Sequence, residues 1–347
     1  YLKSNKNSDF MWESLQGQVY GKYMHNAKIF PGFANFLLHC KTRGVKVFIV
    51  SHKTKFGHND SSRTPLRETA LNFLRKNNFL SNDYGINENN IFFFNTRKAK
   101  VNKIANLNCT YFIDDLPQVF EEVNFPQKTT KILFEPESEK LMIDIFNSWW
   151  RINENIFNKI RNSDISAYVE IAIKDKVKLV QNVKGRGNSN IYKIDMKSGK
   201  IFVGKLYPDK TFDKRDRITK ETSAYSFLHL KKINKVPKSI CSNLNLNFAL
   251  FEWIIGEEIT EITDDHIIGV SDFIMELAKI SKNTISETFD LASAACLSGE
   301  MIEQQILERY ATILKYAESH PDLSDFLNNT FYQAIEKILR VSKKNWP

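Results

Sequence analysis

Three groups of residues in this 347-residue sequence have types and positions suited to handling a phosphate and its charge. Ser51 follows the apolar run Val45-Lys46-Val47-Phe48-Ile49-Val50, Asp114-Asp115 follow Thr110-Tyr111-Phe112-Ile113, and Lys98, Lys100 and Lys103 lie between the two runs. A hydroxyl and an ammonium can hold phosphoryl oxygens, and adjacent carboxylates can fix a cation that neutralises developing charge. Further along, Gly185-Arg186-Gly187-Asn188-Ser189-Asn190 places two glycines where backbone N–H groups can approach an anion closely. Lys205 then stands inside the apolar run Ile201 to Tyr207, where a lone ammonium is costly unless it meets a carboxylate or a phosphate. Glu221, on a helix expected from about Asp216 to Lys232, is the candidate carboxylate. Each residue also has a plainer reading: Ser51 as a turn hydroxyl, the aspartates as a cap for a helix near Pro117, Lys205 as a snorkelling edge residue, Glu221 as surface.

The elements that must position these groups change character along the chain. In the first part helices and apolar runs alternate. A helix over Phe33 to Lys41 ends at Arg43-Gly44, and the run Val45 to Val50 follows; then come a helix from Leu66 to Asn77, a strand at Ile91 to Phe94, a helix from Lys98 to Asn106 and a strand at Thr110 to Ile113. Continuous apolar strands joined by helices imply a parallel sheet covered on both faces, with its site at the carboxyl ends of the strands. After Leu133-Phe134-Glu135-Pro136 this pattern stops. An amphipathic stretch with Trp149 and Trp150, and a helix near Ser163 to Lys174, read as docking elements. Short runs at Lys178 to Val183, Asn190 to Asp195, Ile201 to Tyr207 and Phe248 to Trp253, with a turn at Lys197-Ser198-Gly199, then predict antiparallel hairpins. From Thr263 to Lys343 the pattern is helical.

Taken in order, Ser51, Lys100 (with Lys103 as the weaker candidate) and Asp114-Asp115 resemble the last three motifs of the haloacid dehalogenase superfamily. The resemblance implies a three-layer, Rossmann-like α/β domain over residues 1–140, with Asp114 and Asp115 on magnesium. It departs at the first motif: no Asp-x-Asp pair precedes the helix at Phe33, so the nucleophile is absent from this sequence.

The hairpin tip, the Gly204-Lys205-Leu206-Tyr207-Pro208 segment and the stretch from Glu221 to Leu228 look like the aminoglycoside phosphotransferase and choline kinase branch of the protein-kinase-like fold. The resemblance implies an α+β domain over residues 176–347, with an antiparallel-sheet lobe and the first helices of a second lobe, joined to the first domain by a linker over 141–175. It implies that Gly185, Gly187, Asn188 and Ser189 cover the phosphates of ATP and that Lys205 holds them, oriented by Glu221. It also implies that Glu252 to Ile254 meet adenine through the backbone. Such kinases carry a catalytic loop about a hundred residues beyond the hinge. The internal candidate, His320-Pro321-Asp322, has Leu327 where the metal-binding Asn is expected, so it reads as a decoy and the domain as truncated before that loop.

Composition agrees with a soluble globular protein: 42% of residues are hydrophobic and 26% charged, far from the regime that leaves a chain disordered. A formal charge of +9 admits a nucleic-acid partner, but the Lys and Arg residues are scattered, which favours a general basic bias suited to anionic nucleotides. Cys40, Cys109, Cys241 and Cys296 form no C-x-x-C pair, so a zinc site or disulfide scaffold is not expected and a reducing, cytoplasmic setting is. No run approaches the roughly 18 apolar residues of a membrane span. Three functions follow as expectations. The leading one is a phosphotransferase that uses ATP and Mg2+ on a hydroxyl of a small-molecule acceptor such as a sugar or aminoglycoside. The others are a magnesium-dependent phosphatase with a kinase-like sensing module, and a catalytically degenerate binding protein in sugar or envelope biosynthesis.

Overall fold

The computed structural model describes residues 8–137, 145–183, 189–208, 213, 215–257, 259–281, 289, 298–317 and 320–342. The chain divides into two compact units, Tyr1–Glu276 and Leu277–Pro347. The larger unit is mixed α/β and contains an antiparallel sheet.

Its first part runs α1 (Ser8–Tyr20), α2 (Phe33–Thr42), β1 (Ile49–His52), α3 (Leu66–Lys76), β2 (Ile91–Phe94), α4 (Arg97–Leu107), β3 (Tyr111–Asp114), α5 (Pro117–Phe120), β4 (Thr130–Phe134) and β5 (Ile145–Phe146). Every strand pairing here is parallel, as the continuous apolar runs predict, but the strands form two ladders rather than one sheet. Among the described residues β1 pairs only with β2, and β3 leads into β4 and β5. Between the two ladders lies a cavity of about 660 Å³ walled by Val45 to Val50 and Leu107 to Ile113. This split also shortens the first strand. Val45 to Phe48 stay outside the ladder because β2 offers four partners, Ile91 to Phe94, and these face Ile49 to His52.

Helix ends follow local chemistry. Thr96 caps α4 by accepting the Ala99 N–H at 3.2 Å, and Asn108 closes it in the left-handed region at φ 50°. α6 (Trp149–Phe157) is capped by Ser148, and α7 (Asn162–Ile173) by Asp164, which accepts the Arg161 N–H at 2.7 Å.

The antiparallel sheet has the order β6 (Val177–Val183), β7 (Asn190–Met196), β8 (Ile201–Leu206), β10 (Phe248–Glu252), β9 (Ser239–Asn243), with α8 (Arg217–Leu230) inserted after β8. The expected turn between β7 and β8 is present, with Gly199 at φ 86°. One apolar core joins this sheet to the first part: Leu37, Leu38, Ile152, Ile165, Tyr168, Ile194 and Phe248 belong to the same buried cluster. A polar network crosses the same junction. Asn35 on α2 donates to the Tyr168 hydroxyl at 2.9 Å and to the Leu246 carbonyl at 2.8 Å, and Arg43 grips both oxygens of fully buried Asp164, at 2.6 and 2.9 Å.

α9 (Asp264–Ile280) runs from the larger unit into the smaller one, which holds α10 (Gly299–Ala317), α11 (Pro321–Phe326), a π turn (Leu327–Phe331) and α12 (Tyr332–Ser342). Tyr310 lies against the rings of Phe331 and Tyr332 within this unit.

Candidate functional site

Lys205 sits on β8, the middle strand of the antiparallel sheet, opposite Ile191 on one side and Ala249 on the other. Along a strand successive side chains alternate between faces. Phe202, Gly204 and Leu206 turn into the core, while Val203 and Lys205 lie on the half-buried face. Gly204 is required by packing: a Cβ there would lie 2.5 Å from Ile194 Cδ1 and 2.7 Å from Phe248 Cζ. That close approach fixes the strand directly beside the lysine.

On the lysine's face, helix α8 brings up Glu221. Asp216 starts that helix by accepting the Thr219 N–H at 3.3 Å, which sets Glu221 one turn inside it. The Lys205 ammonium donates to Glu221 Oε1 at 2.8 Å and Oε2 at 2.6 Å. The two side chains are 22% and 25% exposed, so the pair is sheltered yet open to a ligand. Tyr207, in the Gly204-to-Pro208 segment, donates its hydroxyl to Glu221 Oε2 at 2.9 Å. Burial, and then the neighbouring Glu221 charge, push its phenol well above the ordinary tyrosine range, so it stays a donor.

Of the other residues assigned to this site, Gly185, Gly187 and Asn188 lie outside the described residues, and Ser189 leads into β7. Glu252 ends β10; its N–H donates to the Lys238 carbonyl at 2.9 Å and its carboxylate accepts the Lys238 N–H at 3.2 Å. Both of those groups are therefore engaged locally. Ile254 follows the strand and is half exposed.

The second set of candidates lies at the carboxyl ends of the parallel strands. Lys100 on α4 pairs with Asp114 at the end of β3, and both side chains are nearly buried. Burial pushes the Asp114 carboxyl above its usual range, against the pull of Lys100 and of the Leu116 N–H. Ser51 stands on β1 opposite Phe93, in the other ladder, while Asp115 follows Asp114 on the exposed side. Lys103 is turned away from the aspartates; its ammonium lies 3.9 Å from the centre of the Phe92 ring. Two further residues stand at this end. Lys53 lies over the Tyr20 ring at 4.1 Å and burial lowers its pKa, and the Tyr20 phenol is raised by burial and by the Asp115 charge.

The described cysteines Cys40, Cys109 and Cys241 are free thiols, and burial pushes Cys40 up to about 12, so it is an inert packing residue at neutral pH. Among the described residues no helix is long and apolar enough to cross a membrane.

No family model matches the chain, and no curated protein matches it. Among solved structures, the chain is similar to a protein from Thermobifida fusca named as a fructosamine-3-kinase, at 17% identity and a TM-score of 0.23. The likeness covers 28% of this chain and 33% of that one, so the chain spans about a third of that protein's length.

Proposed function

We propose that the antiparallel-sheet half binds ATP and that the protein is an ATP-dependent phosphotransferase acting on a hydroxyl of a small molecule. The observation that carries this reading is the pair of Lys205 and Glu221: a strand ammonium gripped by both oxygens of a helix carboxylate, beside a strand that packing holds rigid. An ammonium has three donors, and a carboxylate that holds it from behind aims it at the phosphates of a nucleotide. Ser189, at the start of β7, is assigned to those phosphates together with Gly185, Gly187 and Asn188, and the backbone from Glu252 to Ile254 is assigned to adenine.

Magnesium would arrive with the nucleotide, held largely by its phosphates. Among the described residues no three His, Cys, Asp or Glu side chains converge as a metal site. Asp114 and Asp115 remain assigned to magnesium by the haloacid-dehalogenase resemblance, with Asp114 paired to Lys100. The test is calorimetric titration of Mg-ATP into the chain and into Lys205→Ala. The reading expects saturable binding that the substitution abolishes; no binding by the unsubstituted chain, or equal binding by both, rejects it.

A second reading makes the parallel half a haloacid-dehalogenase-like, magnesium-dependent phosphatase, with the antiparallel half as its binding module. Lys100, Asp114 and Asp115 stand at the carboxyl end of β3, and Lys53, just past β1, lies over the Tyr20 ring, whose phenol feels the Asp115 charge. Release of inorganic phosphate from p-nitrophenyl phosphate, lost in Asp115→Asn and kept in Lys205→Ala, would establish it; no release removes it.

A further inference from the structure

We propose that Tyr207 is a positioning residue of the nucleotide site: its hydroxyl anchors Glu221 to the sheet, so that the carboxylate stays in place when Lys205 turns to a phosphate. The inference rests on the nucleotide-binding reading above.

A carboxylate whose only partner is the lysine faces a conflict. When that lysine engages an incoming anion, the carboxylate is free to swing and the lysine loses its orientation. Glu221 has a second anchor that does not depend on Lys205. The Tyr207 hydroxyl donates to Oε2, the same oxygen that takes the shorter of the two lysine bonds. Tyr207 itself is buried and hydrogen-bonded through its backbone. It is 4% exposed, and it lies just past β8, two residues from Lys205 and therefore on the same side of the chain.

Its backbone is fastened from both sides by one residue. The Tyr207 N–H donates to the Asn247 carbonyl at 3.0 Å, and the Asn247 amide donates to the Tyr207 carbonyl at 2.9 Å and to the Pro208 carbonyl at 2.7 Å. Asn247 is buried and sits at φ 52°, a left-handed conformation that Asn tolerates better than most residues. The ring is thus held by the sheet and delivers one hydrogen bond to one carboxylate oxygen. A phenol serves here because burial beside Glu221 keeps it protonated, whereas a second ammonium would compete with Lys205 for the carboxylate and for the phosphate.

Tyr207→Phe removes the hydroxyl and keeps the ring, so the packing survives. Binding of Mg-ATP and of adenosine is measured calorimetrically for the unsubstituted chain, for Tyr207→Phe, for Glu221→Gln and for the double variant. The expected result is a roughly threefold to tenfold loss of Mg-ATP affinity in Tyr207→Phe, the range for one ordinary hydrogen bond, because this bond to Glu221 acts on the nucleotide only through Lys205. Adenosine, which has no phosphate for Lys205, should bind all four proteins alike, and the double variant should bind Mg-ATP no worse than Glu221→Gln. Unchanged Mg-ATP binding in Tyr207→Phe overturns the proposal and leaves the nucleotide site standing. Equal losses for Mg-ATP and adenosine overturn it too, because they mark a general packing defect. Absence of Mg-ATP binding in the unsubstituted chain removes the nucleotide reading and this inference with it.

Discussion

The two halves of the larger unit each hold a lysine–carboxylate pair, and the pairs are built in opposite senses. In the parallel half the lysine, Lys100, is on a helix and the carboxylate, Asp114, ends a strand, with both side chains 7% exposed. In the antiparallel half the lysine is on a strand and the carboxylate on a helix, and both are about three times more open. The closed pair ties α4 to β3 and offers little exposed surface, whereas the open pair could exchange part of its bonding for an incoming anion. The proposed nucleotide site therefore rests on a difference in exposure that residue types alone do not show.

The largest effect that tests this contrast is on stability. Lys100→Ala leaves the Asp114 carboxylate buried without its cation, and removal of one partner of a buried pair costs about 3–5 kcal/mol. Urea unfolding followed by fluorescence should show a loss of that size. A loss below about 1 kcal/mol, the ordinary value for an exposed pair, would erase the distinction.

Next in size is Gly204→Ala. The added methyl meets Ile194 and the Phe248 ring at 2.5 and 2.7 Å, and overpacking of a filled core costs about 1–3 kcal/mol. Because β8 carries Lys205, Mg-ATP affinity should fall together with stability. A destabilised variant with full affinity would show that strand rigidity is not what holds the lysine.

Lys205→Ala should be the mildest of the three in unfolding. A partly exposed pair contributes about 0–1 kcal/mol, so the midpoint should hardly move while Mg-ATP binding disappears. A large destabilisation instead would place Lys205 with Lys100 as a structural cation.

How much of this was legible in the sequence depends on whether an element is specified by its own residues or by its neighbours. Ile91 to Phe94, the helix over Arg97–Leu107 and the Lys197-Ser198-Gly199 turn carry their signals locally, in apolar runs, a threonine cap and a glycine at positive φ. β9, with the sequence Ser-Ile-Cys-Ser-Asn, has no such signal and exists because β10 offers it an edge. The run at Val45 overstates β1 for the converse reason, since its partner is only four residues long. At the candidate site, the cost of an ammonium in an apolar strand foretold the partnership of Lys205 with Glu221. Nothing foretold Tyr207, because a tyrosine at the end of an apolar run reads as core, and its hydroxyl acquires a role only when α8 places Glu221 above it. Ser51 and Asp114 belong to one ordered set of motifs but stand in separate ladders, because pairing among the strands, rather than their order in sequence, decides which ends meet.

The smallest effect is a slope with pH, and it refines what closure does to a carboxylate. Asp114 and Asp164 are both buried, yet their pKa values move in opposite directions. Burial raises Asp114, and a single lysine and one backbone N–H do not offset it. Burial pushes Asp164 the same way, but the forked Arg43 bonds, the charge of nearby His39, the Thr42 hydroxyl and the Arg161 N–H together bring it below its ordinary value. A raised native pKa means that the folded state holds its proton to higher pH than the unfolded chain, so Asp114 takes stability away as pH climbs from about 3.9 through its native value. A lowered native pKa has the reverse sign. The contribution of Asp164 is complete above about 3.9 and is lost as pH falls below it. Unfolding free energies of the chain and of Asp114→Asn, compared at a series of pH values upward from 4, should therefore diverge in favour of the asparagine variant as pH rises, whatever their offset at the start. A flat difference would mean that Lys100 fully compensates the buried charge, and that the closed pair is as well satisfied as the forked one.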